Sequence, residues 1–156
     1  MDIHTMPGHL VRRLNQIAVA LFMERIAAAG LNLTPVQFAA LSAVRDQPGI
    51  DQATVAGMVA YDRATLGKVI DRLDARGLVA RRTSPTDRRA KELRLTPEGE
   101  ALLDAARPHV VDIQPEILAG LDQTERQTFI ELLQKVTMAG NEHSRAPLVT
   151  PGTRTG

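Results

Sequence analysis

Residues 51–95 read DQATVAGMVAYDRATLGKVIDRLDARGLVARRTSPTDRRAKELRL. Asp51 is placed to cap a short helix through Ala53, Val55, Ala56 and Val59. After a break at Ala60-Tyr61, Asp62 caps a further helix to about Arg76. Its Leu66, Val69, Ile70 and Leu73 form one stripe at i, i+3, i+4 and i+7, and Gly77 ends it. Two helices separated by three or four residues match a helix-turn-helix. Val55, Ala56 and Val59 face Leu66 and Val69 across the turn, and the small Ala56 lets the helices cross closely. Ala60 departs from the pattern by standing where glycine is usual. Two β-prone stretches follow, 78–83 and 91–95, joined by the turn-rich Ser84-Pro85-Thr86-Asp87-Arg88-Arg89. A hairpin placed directly after the second helix reads as a wing.

The chemistry of this unit is cationic. From Arg63 to Arg94 ten basic residues stand against four acidic ones, a net +6; the rest of the chain holds nine against fourteen, a net −5. A concentrated positive block beside an acidic remainder predicts an oriented polyanion partner. With the stripe buried, the outward face of the second helix presents Ala64, Lys68, Asp71, Arg72 and Ala75, flanked by Arg63 and Thr65. Small residues and donors of this kind suit the major groove of duplex DNA. Arg88 and Arg89 at the wing tip suit a narrow minor groove, where the potential is most negative. Asp87 is expected to orient the Arg89 guanidinium through a carboxylate fork.

Outward from this unit the chain is helical. Leu10, Leu14, Ile17 and Leu21, with Val11, Ala18 and Phe22 beside them, give a helix over about 10–29, closed by Gly30. Thr34-Pro35 opens a second helix to about Asp46, whose expected buried side is Val36, Ala39, Ala40 and Ala43. Thr96-Pro97 opens a long helix through Leu102, Leu103, Ala106, Val110, Ile113 and Ile117, where Pro108 and Pro115 predict a kink or a split into two. Asp122 with Glu125 reads as a capping box for a last helix with Phe129, Leu132, Leu133 and Val136. From Asn141 onward the polar, proline-containing sequence predicts a disordered tail.

The composition narrows the function classes. Of 156 residues, 44% are hydrophobic and 24% charged, so one domain with a real core is expected. No stretch reads as a membrane span or a signal peptide, which predicts a cytoplasmic protein. Cysteine is absent, which excludes disulfides, thiolate metal sites, cysteine nucleophiles and thiol redox sensing. An aromatic share of 3% is too small for base-stacking platforms that grip single strands. His4, His9, His109 and His143 lie apart and none forms a ligand pair at i, i+4, so neither an enzyme nor a metal or cofactor site is expected.

Asp87-Arg88-Arg89 followed by Leu93-Arg94-Leu95-Thr96-Pro97-Glu98-Gly99 resembles the wing and exit signature of the MarR family of bacterial transcriptional regulators. Leu33-Thr34-Pro35-Val36-Gln37-Phe38 and the stretch from Val69 to Val79 are similar to the same family, and the likeness covers residues 10–140. The resemblance implies a mainly α fold with a small β-hairpin wing, a winged helix-turn-helix with N- and C-terminal dimerisation helices. It divides the chain into a dimerisation helix (1–32), a DNA-binding lobe (33–96), further dimerisation helices (97–140) and a tail (141–156). It implies a homodimeric repressor on a pseudo-palindromic operator, with the minor-groove arginine at Arg89 and its supporting aspartate at Asp87. It also implies a small aromatic acid or phenol as effector, for which His9, Arg13, Phe38 and Tyr61 are the candidates. The competing reading is a winged helix used for protein–protein contact without an effector; it would expect an apolar or acidic outward face where this one is basic.

Overall fold

The computed structural model describes residues 1–150; positions 151–156 of the expected tail lie outside the described residues. Six α-helices and three strands follow one another as α1 (Pro7–Ala28), α2 (Pro35–Asp46), β1 (Ile50–Asp51), α3 (Gln52–Val59), α4 (Arg63–Ala75), β2 (Val79–Thr83), β3 (Lys91–Leu95), α5 (Pro97–Ile117) and α6 (Gln123–Ala139), with 3-10 turns at Ile3–Thr5 and Asn141–His143.

Most helix starts are fixed by their own side chains. Thr34 and Gln37 form a reciprocal box, each side-chain oxygen accepting the other's backbone N–H at 3.2 and 3.0 Å. Asp51 accepts Thr54 N–H at 2.7 Å, Thr96 accepts Gly99 N–H at 3.0 Å, and Asp122 with Glu125 completes the second box. Each satisfies an N–H that the helix itself leaves without a partner. Gly99 is required by close approach, because a Cβ there would stand 2.0 Å from the Leu78 carbonyl oxygen.

The sheet has the order β1-β3-β2, antiparallel throughout. β1 is a strand that the sequence reading lacks: Ile50 pairs with Leu93, and Asp51 pairs with Glu92 while also capping α3. In β2–β3, Val79 faces Leu95 and Thr83 faces Lys91. The core joins this sheet to the helices through the fully buried Leu41, Leu66, Ile70, Leu73, Leu93 and Leu103. α1 packs along α5 and adds Phe22 and Ile26 beside Ala106 and Ile113.

Of the kink and the split expected at Pro108 and Pro115, the split does not occur: α5 is one helix from Pro97 to Ile117; each proline removes one N–H, but Leu103, Ala106 and Ile113 remain buried along the same face. The buried side of α2 is Ala40, Leu41, Ala43 and Val44 together with Gln37, while Val36 and Ala39 are half-buried. Residues 141–150, the described part of the expected tail, run beside α3 and α4. Asn141 hydrogen bonds Leu148 in both directions, at 3.0 and 2.8 Å, and Val149 N–H donates to the Gly57 carbonyl at 2.9 Å. Among the described residues no helix is long and apolar enough to cross a membrane.

Candidate nucleic-acid interface

The turn between α3 and α4 sets the geometry. Val55 and Ala56 of α3 and Leu66 and Ile70 of α4 are buried in the common core. Ala60 takes φ 55° and ψ 44°, the left-handed conformation that lets Tyr61 N–H reach back to the Ala56 carbonyl at 3.0 Å. Asp62 then caps α4, accepting Thr65 N–H and the Thr65 hydroxyl, both at 2.8 Å. These bonds, with a further one from Arg145, lower the Asp62 pKa from 3.8 to about 2, so the carboxylate stays charged at neutral pH.

All seven residues expected on or beside the outward face of α4 are exposed: Arg63, Ala64, Thr65, Lys68, Asp71, Arg72 and Ala75. Among the described residues Arg63, Lys68 and Arg72 enter no ion pair, so their charges face solvent uncompensated. Thr65 differs, since its hydroxyl proton is committed to Asp62 and only its lone pairs face outward.

The wing is fixed by its loop. Ser84 N–H donates to the Ala90 carbonyl at 3.0 Å, and Ala90 N–H to the Asp87 carbonyl at 3.1 Å. The Asp87 carboxylate accepts the backbone N–H of Arg89 at 2.9 Å. The expected fork to the Arg89 guanidinium is therefore replaced by a backbone bond; a two-residue separation in a tight turn brings an Asp oxygen to the N–H two residues on. Arg88 and Arg89 are left exposed at the tip.

A fork does exist, at a residue that sequence reasoning missed. Arg81 on β2 donates Nη1 to Asp71 at 2.7 Å, and Nη2 and Nε to Asp74 at 2.9 and 3.2 Å. Its bonds to Asp74 and then Asp71 raise its pKa above the ordinary value. The bridge ties the wing's first strand to the last turns of α4. Its signal was present as two aspartates three apart on α4, with an arginine just beyond the glycine that ends the helix.

Between the starts of α3 and α4 and the wing lies an open cleft of about 430 Å³, lined by Asp51, Gln52, Ala53, Arg63, Asp87, Arg89, Ala90 and Lys91. Its walls carry three cations, Arg63, Arg89 and Lys91, and two carboxylates, Asp51 and Asp87.

The four effector candidates are not gathered in one place. Phe38 lies edge-on to Phe22, with ring centroids 6.1 Å apart, and lines a hollow of about 320 Å³ between α2 and α5 with Ser42, Arg45, Arg107, Val110 and Gln114. Arg45 is held there by Asp104 at 2.7 Å. Tyr61 lines a different hollow, with Arg63 and Arg145. His9 stacks edge-on against His4, with Arg12 Nη2 3.4 Å from its Nδ1, and Arg13 is exposed; neither lines either hollow. Among the described residues no group of three or more His, Asp or Glu is arranged to hold a metal.

Comparison with known proteins agrees with this geometry. Residues 31–90 match the family model described as MarR family. The HTH-type transcriptional repressor NicR of Pseudomonas putida is 36% identical over 135 residues, covering 86% of this chain and 84% of that protein. The crystal structure of the PcaV transcriptional regulator from Streptomyces coelicolor with its natural ligand superposes with a TM-score of 0.82 at 35% identity, covering 90% of this chain and 97% of that one. BpsR of Bordetella bronchiseptica, whose DNA binding is regulated by 6-hydroxynicotinic acid, gives 0.82 at 37% identity over 88% and 96%. The chain belongs to the MarR family: it is a non-enzymatic, DNA-binding transcriptional regulator with a winged helix-turn-helix fold.

Proposed function

We propose that the protein is a cytoplasmic homodimeric repressor that binds a pseudo-palindromic operator and is released from it by a small aromatic acid or phenol. The observation that carries the DNA contacts is the uncompensated cation row of Arg63, Lys68 and Arg72 on α4, continued by Arg88 and Arg89 on the wing. The α4 residues Arg63, Ala64, Thr65, Lys68 and Arg72 enter the major groove, and Arg89, on a turn shaped by Asp87, enters the minor groove.

The dimer is supported by an apolar groove of about 420 Å³, walled by Leu10, Val11, Leu14 and Ala18 of α1, Ile117 of α5, and Phe129 and Leu133 of α6. A second copy laid on α1, α5 and α6 covers it and sets two reading heads about one helical turn apart. The effector reading is supported by the hollow beside Phe38, where Arg107 and Arg45 stand over an aromatic wall, and by the ligand named for BpsR. His9 and Arg13 near the start of α1, and Tyr61 beside α4, remain the other proposed effector contacts. A ligand that prefers the non-binding spacing by about 100-fold supplies roughly 2.7 kcal/mol of coupling.

The test is selection of a preferred duplex from a random pool, followed by titration of the complex with benzoate, hydroxybenzoate, nicotinate and cinnamate-type acids. Operator release and melting temperature are read together. A rise in melting temperature with release of the duplex is expected for at least one compound; no response in either at millimolar concentration overturns the effector. Sedimentation at micromolar concentration tests the dimer, which a single monomeric species would overturn.

A further inference from the structure

Beyond α6 the chain turns back over the helix-turn-helix. Asn141 brackets Leu148 through two hydrogen bonds, and Val149 N–H donates to the Gly57 carbonyl of α3. Gly57 leaves the space that Val149 occupies, since a Cβ on Gly57 would stand 3.0 Å from Val149 Cγ2. Arg145 donates Nη2 to the Asp62 carboxylate at 3.1 Å, beside the start of α4. Residues 144–150 are thus a strap tied to the turn after α6, to α3 and to the cap of α4.

The strap places a cation where the DNA surface ends. The Arg145 side chain is 88% exposed, although one of its nitrogens is held. A guanidinium carries five N–H donors, so most of its capacity is left for another acceptor. Arg145 and Arg63 line the same hollow of about 340 Å³, and Arg63 also lines the cleft that holds Arg89 and Lys91. Arg63 therefore links Lys91 and Arg89 on one side to Arg145 on the other, with Asp51, Asp87 and Asp62 interspersed along the same walls. As a structural ion pair, so exposed an arginine would contribute little.

We propose that the strap belongs to the DNA-binding surface and delivers Arg145 to a backbone phosphate flanking the recognition helix. This rests on the reading of α4 and the wing as the duplex-binding elements. A phosphate contact fixes position without reading sequence, so its loss weakens operator and random duplex alike.

The experiment measures duplex affinity against salt for the full-length protein and for Arg145→Ala, Arg145→Lys, Gly57→Leu and Arg89→Ala, with melting temperatures recorded in parallel. The log–log salt slope is expected to fall by about one for Arg145→Ala and to be retained by Arg145→Lys. Gly57→Leu keeps Arg145 but displaces Val149, and should reproduce the alanine slope. An unchanged slope for Arg145→Ala beside a reduced one for Arg89→Ala overturns the strap while leaving the parent reading intact. Tighter binding by Arg145→Ala overturns it too, because the strap would then shield α4. If the unaltered protein binds no duplex at any salt, the DNA reading itself falls, and the strap with it.

Discussion

The DNA-reading lobe and the terminal helices solve the burial of apolar side chains differently. In the lobe, Leu41, Leu66, Ile70, Leu73 and Leu93 are completely covered by their own chain. On α1 and α6 the same kind of residue is left bare: Leu10 is 45% exposed, Leu132 56% and Val136 68%, and α6 buries none of its residues. Both regions carry helical apolar stripes of similar quality in the sequence. Periodicity therefore marks an apolar face, and only the fold separates a face covered by its own chain from one left exposed, as the proposed dimer requires.

The sharpest way to break this contrast is to truncate one leucine in each region. Leu66→Ala in α4 leaves a cavity in a closed core and should lower stability by about 3 kcal/mol, read by denaturant unfolding. Leu132→Ala should cost little in the folding of an isolated chain but shift the monomer–dimer equilibrium toward monomer, read by sedimentation. The melting temperature of the unaltered protein should rise with its concentration, as linkage to association requires. If both variants show the same concentration-independent loss, the bare face of α6 is not covered by a copy.

Within the lobe, the roles proposed for the wing and α4 are separable. Arg89→Ala should weaken operator binding and reduce the salt slope by about one, with no change in melting temperature. Asp87→Ala should produce a smaller loss, because its carboxylate holds the backbone of Arg89 and not its guanidinium. Equal affinities for Arg89→Ala and the unaltered protein at two salt concentrations would remove the wing from recognition.

These contrasts also show what the sequence made legible. The starts of α2, α3, α4, α5 and α6 were readable because a cap acts within three residues: Thr34 on Gln37, Asp51 on Thr54, Asp62 on Thr65, Thr96 on Gly99, Asp122 on Glu125. The outward residues of α4 were readable because a buried stripe fixes the opposite face. β1 was not, since two residues carry no alternation and the partner Leu93 lies far along the chain. The Arg81 fork had its residues in view, Asp71 and Asp74 one turn apart, but its closure depends on how β2 leaves Gly77; the strap, a contact between Val149 and Gly57, has no local signature. The separation of Phe38 and Tyr61 into different hollows is likewise a property of packing.

A smaller effect separates the two regions by pH. Asp62 has a folded pKa of about 2 against an ordinary 3.8, lowered by Thr65 and Arg145. Its contribution to stability is therefore fully present above pH 4 and is lost as pH falls from about 4 toward 2. Asp62→Asn keeps an acceptor for Thr65 N–H but has no proton to gain, and should flatten this part of the stability profile. α1 has no such cap, since its N-cap Met6 makes no side-chain bond. An acid-side profile identical in both proteins would place the titration elsewhere.

The smallest effect concerns the turn that holds the two recognition elements together. Ala60 is the one non-glycine residue with positive φ among the described residues, at 55°. An L-residue in the left-handed region carries a steric cost of roughly 1–2 kcal/mol because its Cβ crowds the following carbonyl. Glycine removes that cost but adds about 0.4–1 kcal/mol of freedom to the unfolded chain. Ala60→Gly should therefore stabilise the protein by a net of up to about 1.6 kcal/mol, read as a higher denaturant midpoint with an unchanged slope. Operator affinity should stay the same, because the conformation of the turn is unchanged and only its strain is relieved. A lower midpoint would mean that the Ala60 methyl makes a contact worth more than the strain, and a changed affinity would mean that the turn's stiffness itself sets the angle between α3 and α4.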